Sequence, residues 1–521
     1  MTSAPVADPR ERLVALGARL AQAPGDAAAA YEAADIASDH GWEEAARPLV
    51  AAAAERNPRD ARLWHMLGVV HRGLEDSAEA MAAFGHAIAE DPRFALAAHG
   101  LARATMEAGL PAVDRFAAAR RLAPHDLDVL LGQAAALAAV GGAEAAQALL
   151  AGQLAATPDW IDGHHSFAKL SAARGEAERA TATIDAALRH RPGDVALHVA
   201  RATVLARTAT PAARLGAIEA ARRIAGDQRE LVMQHAVAAS EAGAIDEADR
   251  LFLAVGRHAD HGFALAQLRH LVRAARWEQA EMLASRLVAG PQAMTAWAYR
   301  HTAWRMMDDP RLRWLDQEGA LVRTYDISAS LPPLDRLAET LRAIHRDRAQ
   351  PIDQSVRHGT QTDGPLFARI DPVIRATREA IRAAVAAHIR GLPPLGPDHP
   401  AWAEAPEARP RFTGAWSVRL TGGGHHVSHI HPAGWLSSAL YIALPDGMGA
   451  GEDGLLTLGT PPAELGISLA PLRTIRPQAG HLALFPSHAW HGVTPSLPGE
   501  RLTIAFDVAR PRPGISLPAA P

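Results

Sequence analysis

Apolar residues recur with a helical period over roughly the first 300 positions, and breaks interrupt them at a regular interval. A proline follows each of five helical runs, at Pro58, Pro92, Pro124, Pro158 and Pro192. The spacings between these prolines are 34, 32, 34 and 34 residues. Because proline cannot continue a helix, the pattern predicts a repeated helical unit of about 34 residues.

Residues 61–94 show how one such unit would pack. The positions that a helix-turn-helix repeat of this length requires are occupied by Trp64, Leu67, Gly68, His71, Ala80, Phe84, Ala87 and Pro92. The small Gly68 and Ala80 would let two helices approach closely, and Phe84 would fill the seam to the next unit. Period and pattern are those of the tetratricopeptide repeat. We predict about five clear repeats, followed from 195 to about 305 by divergent ones.

The pattern changes near Asp308. Short runs typical of strands, separated by Gly and Pro, occupy residues 416–420, 437–445, 455–459, 481–487 and 501–508. They predict an antiparallel sandwich or barrel. The chain is therefore predicted to be an α+β multidomain protein, with an all-α repeat solenoid over residues 1–307 and a β-rich domain over 308–521.

Composition narrows the function classes. The 521 residues include 53 Lys plus Arg and 57 Asp plus Glu, a net charge of −4, so nucleic acid is not expected as a partner. With no cysteine, the chain has no disulfide and no thiolate ligand for a metal. No stretch of about twenty apolar residues predicts a membrane span, and the first thirty residues lack the apolar core of a signal peptide. We expect a soluble, cytoplasmic protein.

Histidines cluster in the β-rich part. His425, His426, His429 and His431 lie within seven positions. Two residues that are two apart on a strand share a face, so His429 and His431 could reach one ion. His491 follows an apolar strand sixty residues later, and Arg501 stands ten residues beyond it. Imidazoles can hold Fe(II) and leave positions open, while an arginine pairs bidentately with a carboxylate. Thr503 would share the face of Arg501. The pattern fits iron plus a dicarboxylate cosubstrate.

Several of these segments resemble a bacterial family of tetratricopeptide-repeat proteins fused to a 2-oxoglutarate- and Fe(II)-dependent oxygenase domain. The matching segments are residues 354–367, 416–420, 425–445, 485–495 and 500–508. The resemblance implies a double-stranded β-helix, or jelly roll. It also implies that His429, His431 and His491 bind the metal and that Arg501 binds the cosubstrate carboxylate.

Some positions in the site stay open. Most oxygenases of the superfamily carry His-x-Asp, whereas the second position here is His431, and His426 could replace one member of the His-x-His pair. Tyr441 and Thr503 are candidates for cosubstrate binding. Further pocket candidates are Trp435, Arg357, Gln361 and Thr362.

Three functions are consistent with these residues. The first is a 2-oxoglutarate-dependent Fe(II) dioxygenase that hydroxylates a protein or peptide held on the concave face of the repeats. The second is a binding scaffold whose β-domain binds metal but has lost catalysis. The third is a cupin-like dioxygenase with three histidines and no 2-oxoglutarate, which would leave Arg501 without a role.

Overall fold

The computed structural model describes residues 8–256, 260–346, 354–448 and 451–517. The chain divides into two compact units. We call residues 1–146, 364–375 and 512–521 the N-terminal unit, and residues 147–363 and 376–511 the C-terminal unit. The predicted division at residue 307 follows the change from helices to strands and stays a prediction as a domain boundary.

Helices occupy the first three hundred described positions. Those up to residue 156 are α1 (Pro9–Gln22), α2 (Ala27–His40), α3 (Glu43–Arg56), α4 (Ala61–Gly73), α5 (Ser77–Glu90), α6 (Ala95–Glu107), α7 (Val113–Leu122), α8 (Leu127–Ala139) and α9 (Ala143–Ala156). The next are α10 (Ile161–Ala173), α11 (Ala182–His190), α12 (Val195–Thr208), α13 (Pro211–Ala225), α14 (Arg229–Glu241), α15 (Ile245–Val255), α16 (His261–Arg273), α17 (Trp277–Leu287), α18 (Ala293–Met306) and α19 (Arg311–Asp316). Two more, α20 (Leu334–Arg342) and α21 (Pro372–Arg390), precede most of the strands.

The prolines separate helix pairs as the spacing predicts. Each of the five lies in the turn after the second helix of a pair, following α3, α5, α7, α9 and α11. In three of these turns an aspartate two residues after the proline caps the next helix: Asp60 caps α4, Asp126 caps α8 and Asp194 caps α12. Such a cap stabilises a helix by about 1 kcal/mol. The same short segment therefore ends one repeat and begins the next.

Close packing within the N-terminal unit depends on glycine. The buried ring of Phe84 on α5 lies between Gly68 on α4 and Gly100 on α6. A Cβ atom would lie 2.7 Å from this ring at Gly68 and 2.6 Å from it at Gly100. Neither position can take a larger residue without moving the ring, which explains the repeat's need for a small residue there.

Replacing Gly68 by alanine is therefore expected to lower the free energy of unfolding by about 1–3 kcal/mol through overpacking. Gly85→Ala is the matched control, since a Cβ atom at Gly85 on the same pair of helices meets nothing within 4 Å. The control should be neutral or stabilise by up to about 1 kcal/mol, because alanine favours a helix over glycine. Thermal unfolding of the two variants measures the difference, and equal midpoints would contradict this account of the packing.

Two later segments of the chain complete the N-terminal unit. The backbone N–H of Ile370 donates to the carbonyl oxygen of Ala108 at 3.2 Å. The second segment lies near the C-terminus. There the carbonyl oxygen of Gly514 accepts a hydrogen bond from Arg10 at 2.6 Å, and Ile515 is buried in the apolar cluster of α1 to α4. The Pro-rich tail is thus packed against helices as far as the structure describes it.

In the C-terminal unit, the last repeat helices pack against residues in two of the loops between strands. Helices α16, α17 and α18 share one apolar cluster with Leu465 and Trp490. The indole N–H of Trp490 donates to Thr302 Oγ1 at 2.9 Å, and its ring meets Tyr299 edge to face at 5.3 Å. These contacts anchor the residue that immediately precedes His491.

The strands of the described chain form one antiparallel sheet. They are β1 (Arg323–Asp326), β2 (Val356–Gln361), β3 (Phe412–His429), β4 (Leu436–Ala443), β5 (Leu456–Leu458), β6 (Arg473–Ile475), β7 (His481–Pro486), β8 (His491–Val493) and β9 (Glu500–Val508). The order is β1-β7-β4-β9-β3-β8-β5-β6, and β2 pairs with β3. The long strand β3 pairs with β9 through residues 412–421 and with β8 through residues 426–429.

The sheet curls on itself. Strands β5 and β6 lie at one end of the order, yet Leu456, Leu458 and Ile475 share a buried cluster with Ala483 and Phe485 of β7 near the other end. Apolar side chains of distant strands can meet this way only if the sheet folds over. The predicted fold class, a helical repeat region followed by a jelly-roll-like β domain, is confirmed. None of the helices among the described residues is long and apolar enough to span a membrane.

Candidate metal centre

Three imidazoles converge inside the curled sheet. One ring nitrogen from each of His429, His431 and His491 lies within 4.8 Å of the others. The Nε2 atoms of His429 and His431 are 3.1 Å apart. The ring centroids of His429 and His491 are separated by 4.2 Å, and those of His431 and His491 by 4.8 Å. The structure thus brings together the three positions that the sequence singled out.

The outer nitrogens of these rings determine where the protons lie. Nδ1 of His429 is 2.9 Å from the carbonyl oxygen of Val427, and Nδ1 of His491 is 3.0 Å from that of Ala489. A carbonyl oxygen only accepts, so both Nδ1 atoms carry hydrogen and both Nε2 atoms present lone pairs. Nδ1 of His431 lies 2.6 Å from a carboxylate oxygen of Asp507.

This donor set fits a divalent transition metal. Imidazole suits Fe, Zn, Cu and Ni, and metal-binding histidines donate their other ring N–H to a carbonyl or a carboxylate. All three rings have such an acceptor. Burial, assisted by the neighbouring imidazoles, lowers the pKa of His429 to about 3 and that of His491 well below its usual value. Both rings are therefore neutral near pH 7, and their lone pairs are available to a cation.

Local irregularities of the strands aim these rings. His429 of β3 is the direct partner of His491 of β8, and His426 of β3 is the partner of Val493 of β8. Between these two pairs β3 advances by three residues and β8 by only two. The extra residue on β3 is a bulge, which turns His426 and His429 to the same side. His431 lies beyond the end of β3, in the loop that leads to β4. We expected His429 and His431 to share one face of a strand. Instead, His429 is the last residue of β3 and His431 lies in a loop.

Arg501 faces the same pocket as the three histidines. It is 2% exposed, and its guanidinium lies 5.3 Å from the ring centroid of Tyr441. Its one hydrogen bond among the described residues goes from Nη1 to the carbonyl oxygen of Gly454. Burial lowers the pKa of Arg501, but an arginine keeps its proton in proteins. A buried cation without a counter-charge is costly, so this position is suited to an anion.

Tyr441 places an unsatisfied hydroxyl near Arg501. Within the described part of the chain its buried hydroxyl has no hydrogen-bond partner. It lies on β4 opposite Thr503 of β9. Thr503 lines the pocket, whereas Tyr441 is not one of the described residues that line it. A carboxylate next to Arg501 could accept from the arginine and from such a hydroxyl.

The remaining predicted pocket residues divide into two groups. His426 and Gln361 line the pocket. Trp435 is buried and donates to the carbonyl oxygen of Pro400, and Arg357 donates to the carbonyl oxygens of Gln354 and Val356 at the start of β2. Thr362 exchanges hydrogen bonds with the backbone of Ser417. The structure places these last three outside the pocket lining and gives them other partners.

Asp507 and Ser355 escape prediction from the sequence. Asp507 touches His431 from a strand seventy-six residues away. The hydroxyl of Ser355 lies 2.9 Å from His426 Nδ1 and 3.2 Å from His429 Nε2. The available indication for Asp507 is the alternation of side chains along β9. Residues 501, 503, 505 and 507 fall on one face of this strand, and the first three line the pocket.

A second group in the described chain, Glu219, His235 and Glu247, also has metal-binding residue types. Arg222 donates to Nδ1 of the buried His235. Nδ1 must then accept, so the neutral ring carries its hydrogen on Nε2, which lies 3.3 Å from a Glu247 oxygen. A protonated nitrogen is not a ligand, and this group is better described as a polar cluster between helices.

Comparison with known proteins identifies one family. A family model with the description "Putative 2OG-Fe(II) oxygenase" matches residues 414–507. This segment contains the three histidines, Arg501 and Asp507. The resemblance stated from the sequence is confirmed over this part of the chain. No curated protein matches the chain.

Among solved structures, similar chains are tetratricopeptide-repeat proteins. YrrB, described as a TPR protein with an unusual peptide-binding site, is 18% identical, with 35% of this chain and 95% of that chain covered and a TM-score of 0.24. A repeat protein from Parabacteroides merdae is 14% identical, with coverages of 50% and 97% and a TM-score of 0.27. A thermophilic TPR protein of Thermus thermophilus is 22% identical, with coverages of 38% and 99% and a TM-score of 0.25.

Proposed function

We propose that this protein is a 2-oxoglutarate- and Fe(II)-dependent oxygenase that hydroxylates a protein or peptide. One observation carries the proposal: a buried arginine, which has no counter-charge in the described part of the chain, lines the same pocket as three histidines with converging ring nitrogens. A small dicarboxylate can satisfy both, with one end at a metal and the other at Arg501. The family match over residues 414–507 supports this assignment.

Each residue has a distinct task in this proposal. His429, His431 and His491 hold the metal through Nε2, and Arg501 binds the distal carboxylate of the cosubstrate. Tyr441 and Thr503 offer hydroxyl groups to that carboxylate. With 2-oxoglutarate and dioxygen, an Fe(II) centre of this type supplies the oxidising power to hydroxylate a C–H bond, and 2-oxoglutarate leaves as succinate and carbon dioxide. The chain contributes orientation and exclusion of water.

The role of Arg501 separates this proposal from a cupin-like dioxygenase with three histidines. An enzyme without a dicarboxylate would bury a guanidinium that has no counter-charge among the described residues, at a cost of several kcal/mol. The scaffold alternative keeps the metal and partner sites but gives no turnover. We infer a protein or peptide substrate because stacked helix pairs present an extended surface for such a partner.

The test is turnover by the full-length protein with Fe(II), 2-oxoglutarate and dioxygen. We expect a stoichiometric amount of bound iron and formation of succinate, even without the substrate, at a rate that addition of the substrate increases. Protein that binds iron and a peptide partner but forms no succinate would support the scaffold instead. Succinate formation by protein from which the bound iron has been removed would contradict the proposed metal centre.

A further inference from the structure

Asp507 is a buried carboxylate in direct contact with one of the three histidines. It is 6% exposed, and its Oδ1 lies 2.6 Å from Nδ1 of His431. Ser437 Oγ donates to the same oxygen at 2.8 Å, and Ser487 Oγ lies 2.8 Å from Ser437 Oγ. The proton on Ser437 goes to the carboxylate, so Ser437 accepts from Ser487. Two donors, Nδ1 of His431 and Oγ of Ser437, therefore converge on one oxygen of a buried carboxylate.

The backbone leaves room for this network at one position. A Cβ atom at Gly434 would lie 2.6 Å from Ser487 Oγ and 3.0 Å from Cβ and Cγ of Asp507. The loop from His431 to Gly434 is held by a hydrogen bond from the N–H of Gly434 to the carbonyl oxygen of His431 at 3.2 Å. The loop that carries His431 is thus packed directly against the side chain of Asp507.

His431 differs in this respect from the other two histidines. Nδ1 of His429 and of His491 donates to a backbone carbonyl, which is a dipole, whereas Nδ1 of His431 faces a full negative charge. A carboxylate in this place raises the basicity of an imidazole and fixes its orientation. His431 is also the position where a His-x-Asp motif would provide a carboxylate ligand.

We propose that Asp507 is a positioning residue that acts through His431. Its hydrogen bond to Nδ1 keeps the Nε2 lone pair of His431 directed at the metal site. It also supplies, one hydrogen bond away, the negative charge that a carboxylate ligand would supply directly. This inference rests on the metal centre of the proposed function. The inference goes beyond the proposed function because it explains how three imidazole ligands can hold a divalent ion in a buried pocket. Loss of such an outer carboxylate weakens metal binding by about 10–100-fold.

The experiment measures Co(II) binding to the full-length protein without turnover, from the visible absorption of the bound ion. Asp507→Asn keeps the size and an oxygen that can accept from His431 but removes the charge. We expect its dissociation constant for Co(II) to rise by about 10–100-fold. Ser437→Ala, which removes one donor to the carboxylate, should give a smaller rise and remains informative if the first variant does not fold.

The matched control is Asp316→Asn, which neutralises another aspartate paired with a histidine in the same unit, at 3.2 Å from His301 Nε2. It should leave the Co(II) dissociation constant unchanged. Wild-type affinity in Asp507→Asn, together with loss of Co(II) in His431→Ala, would overturn the inference and leave the metal centre in place. If His431→Ala also bound Co(II) like wild type, the metal centre and the proposed function would fail with it.

Discussion

Arg501→Ala is expected to abolish turnover of 2-oxoglutarate while leaving metal binding intact. The cosubstrate carboxylate would lose a buried partner, and breaking a buried ion pair costs about 3–5 kcal/mol. Since 1.4 kcal/mol is a factor of ten, the dissociation constant of 2-oxoglutarate should rise at least about 100-fold. Calorimetric titration of the Mn(II)-loaded protein without oxygen measures this constant, and succinate formation measures turnover.

Arg419→Ala is the matched control for that experiment. Arg419 lies on β3 next to β9, is partly exposed, and pairs with Glu500 at 2.6 Å. An exposed pair contributes about 0–1 kcal/mol, so this variant should bind 2-oxoglutarate as the wild type does. If both variants bound the cosubstrate equally well, Arg501 would not be its receptor, and the cupin-like alternative would gain support.

His491→Ala is expected to remove the metal. It deletes one of three lone pairs, and the effect should exceed the about 10–100-fold loss that changes around a ligand cause. Iron content of the purified protein and Co(II) titration both measure it. The fold should survive, because Trp490, which packs against α18, is unchanged.

His425→Ala serves as the control for this variant. His425 lies in the glycine-flanked segment that also contains His426 and His429, but its ring is not part of the three-histidine group. It should retain iron. Equal iron content in His425→Ala and His491→Ala would show that the metal is bound elsewhere or not at all.

Local patterns in the sequence sufficed for the helical region. The proline spacing located the ends of helix pairs, and Gly68 with Phe84 identified a close helix contact that the structure shows directly. These features depend on residues near one another in the chain: proline ends its own helix, and an aspartate caps the helix that follows. The longer strands were also located and a sandwich or barrel was predicted, but the order of the strands in the sheet was not.

The candidate site is a mixed case. The residue types and spacing selected His429, His431, His491 and Arg501, and the structure brings all four to one pocket. The open choice between His431 and His426 could not be made from spacing, because a bulge in β3 turns His426 to the pocket as well. In the structure His431 joins the group of three, while His426 contacts Ser355 beside it.

By itself the sequence determined the repeat, the change to strands and the residue types of a candidate metal centre with a candidate carboxylate-binding arginine. Only the tertiary structure decided which nitrogens carry protons, that Arg501 is buried with no counter-charge among the residues that the structure describes, and that Asp507 contacts His431. The physical reason is that periodicity and capping arise from neighbours along the chain. Tautomers and charge balance depend instead on partners dozens of residues away, and strand register and the folding of the sheet choose those partners.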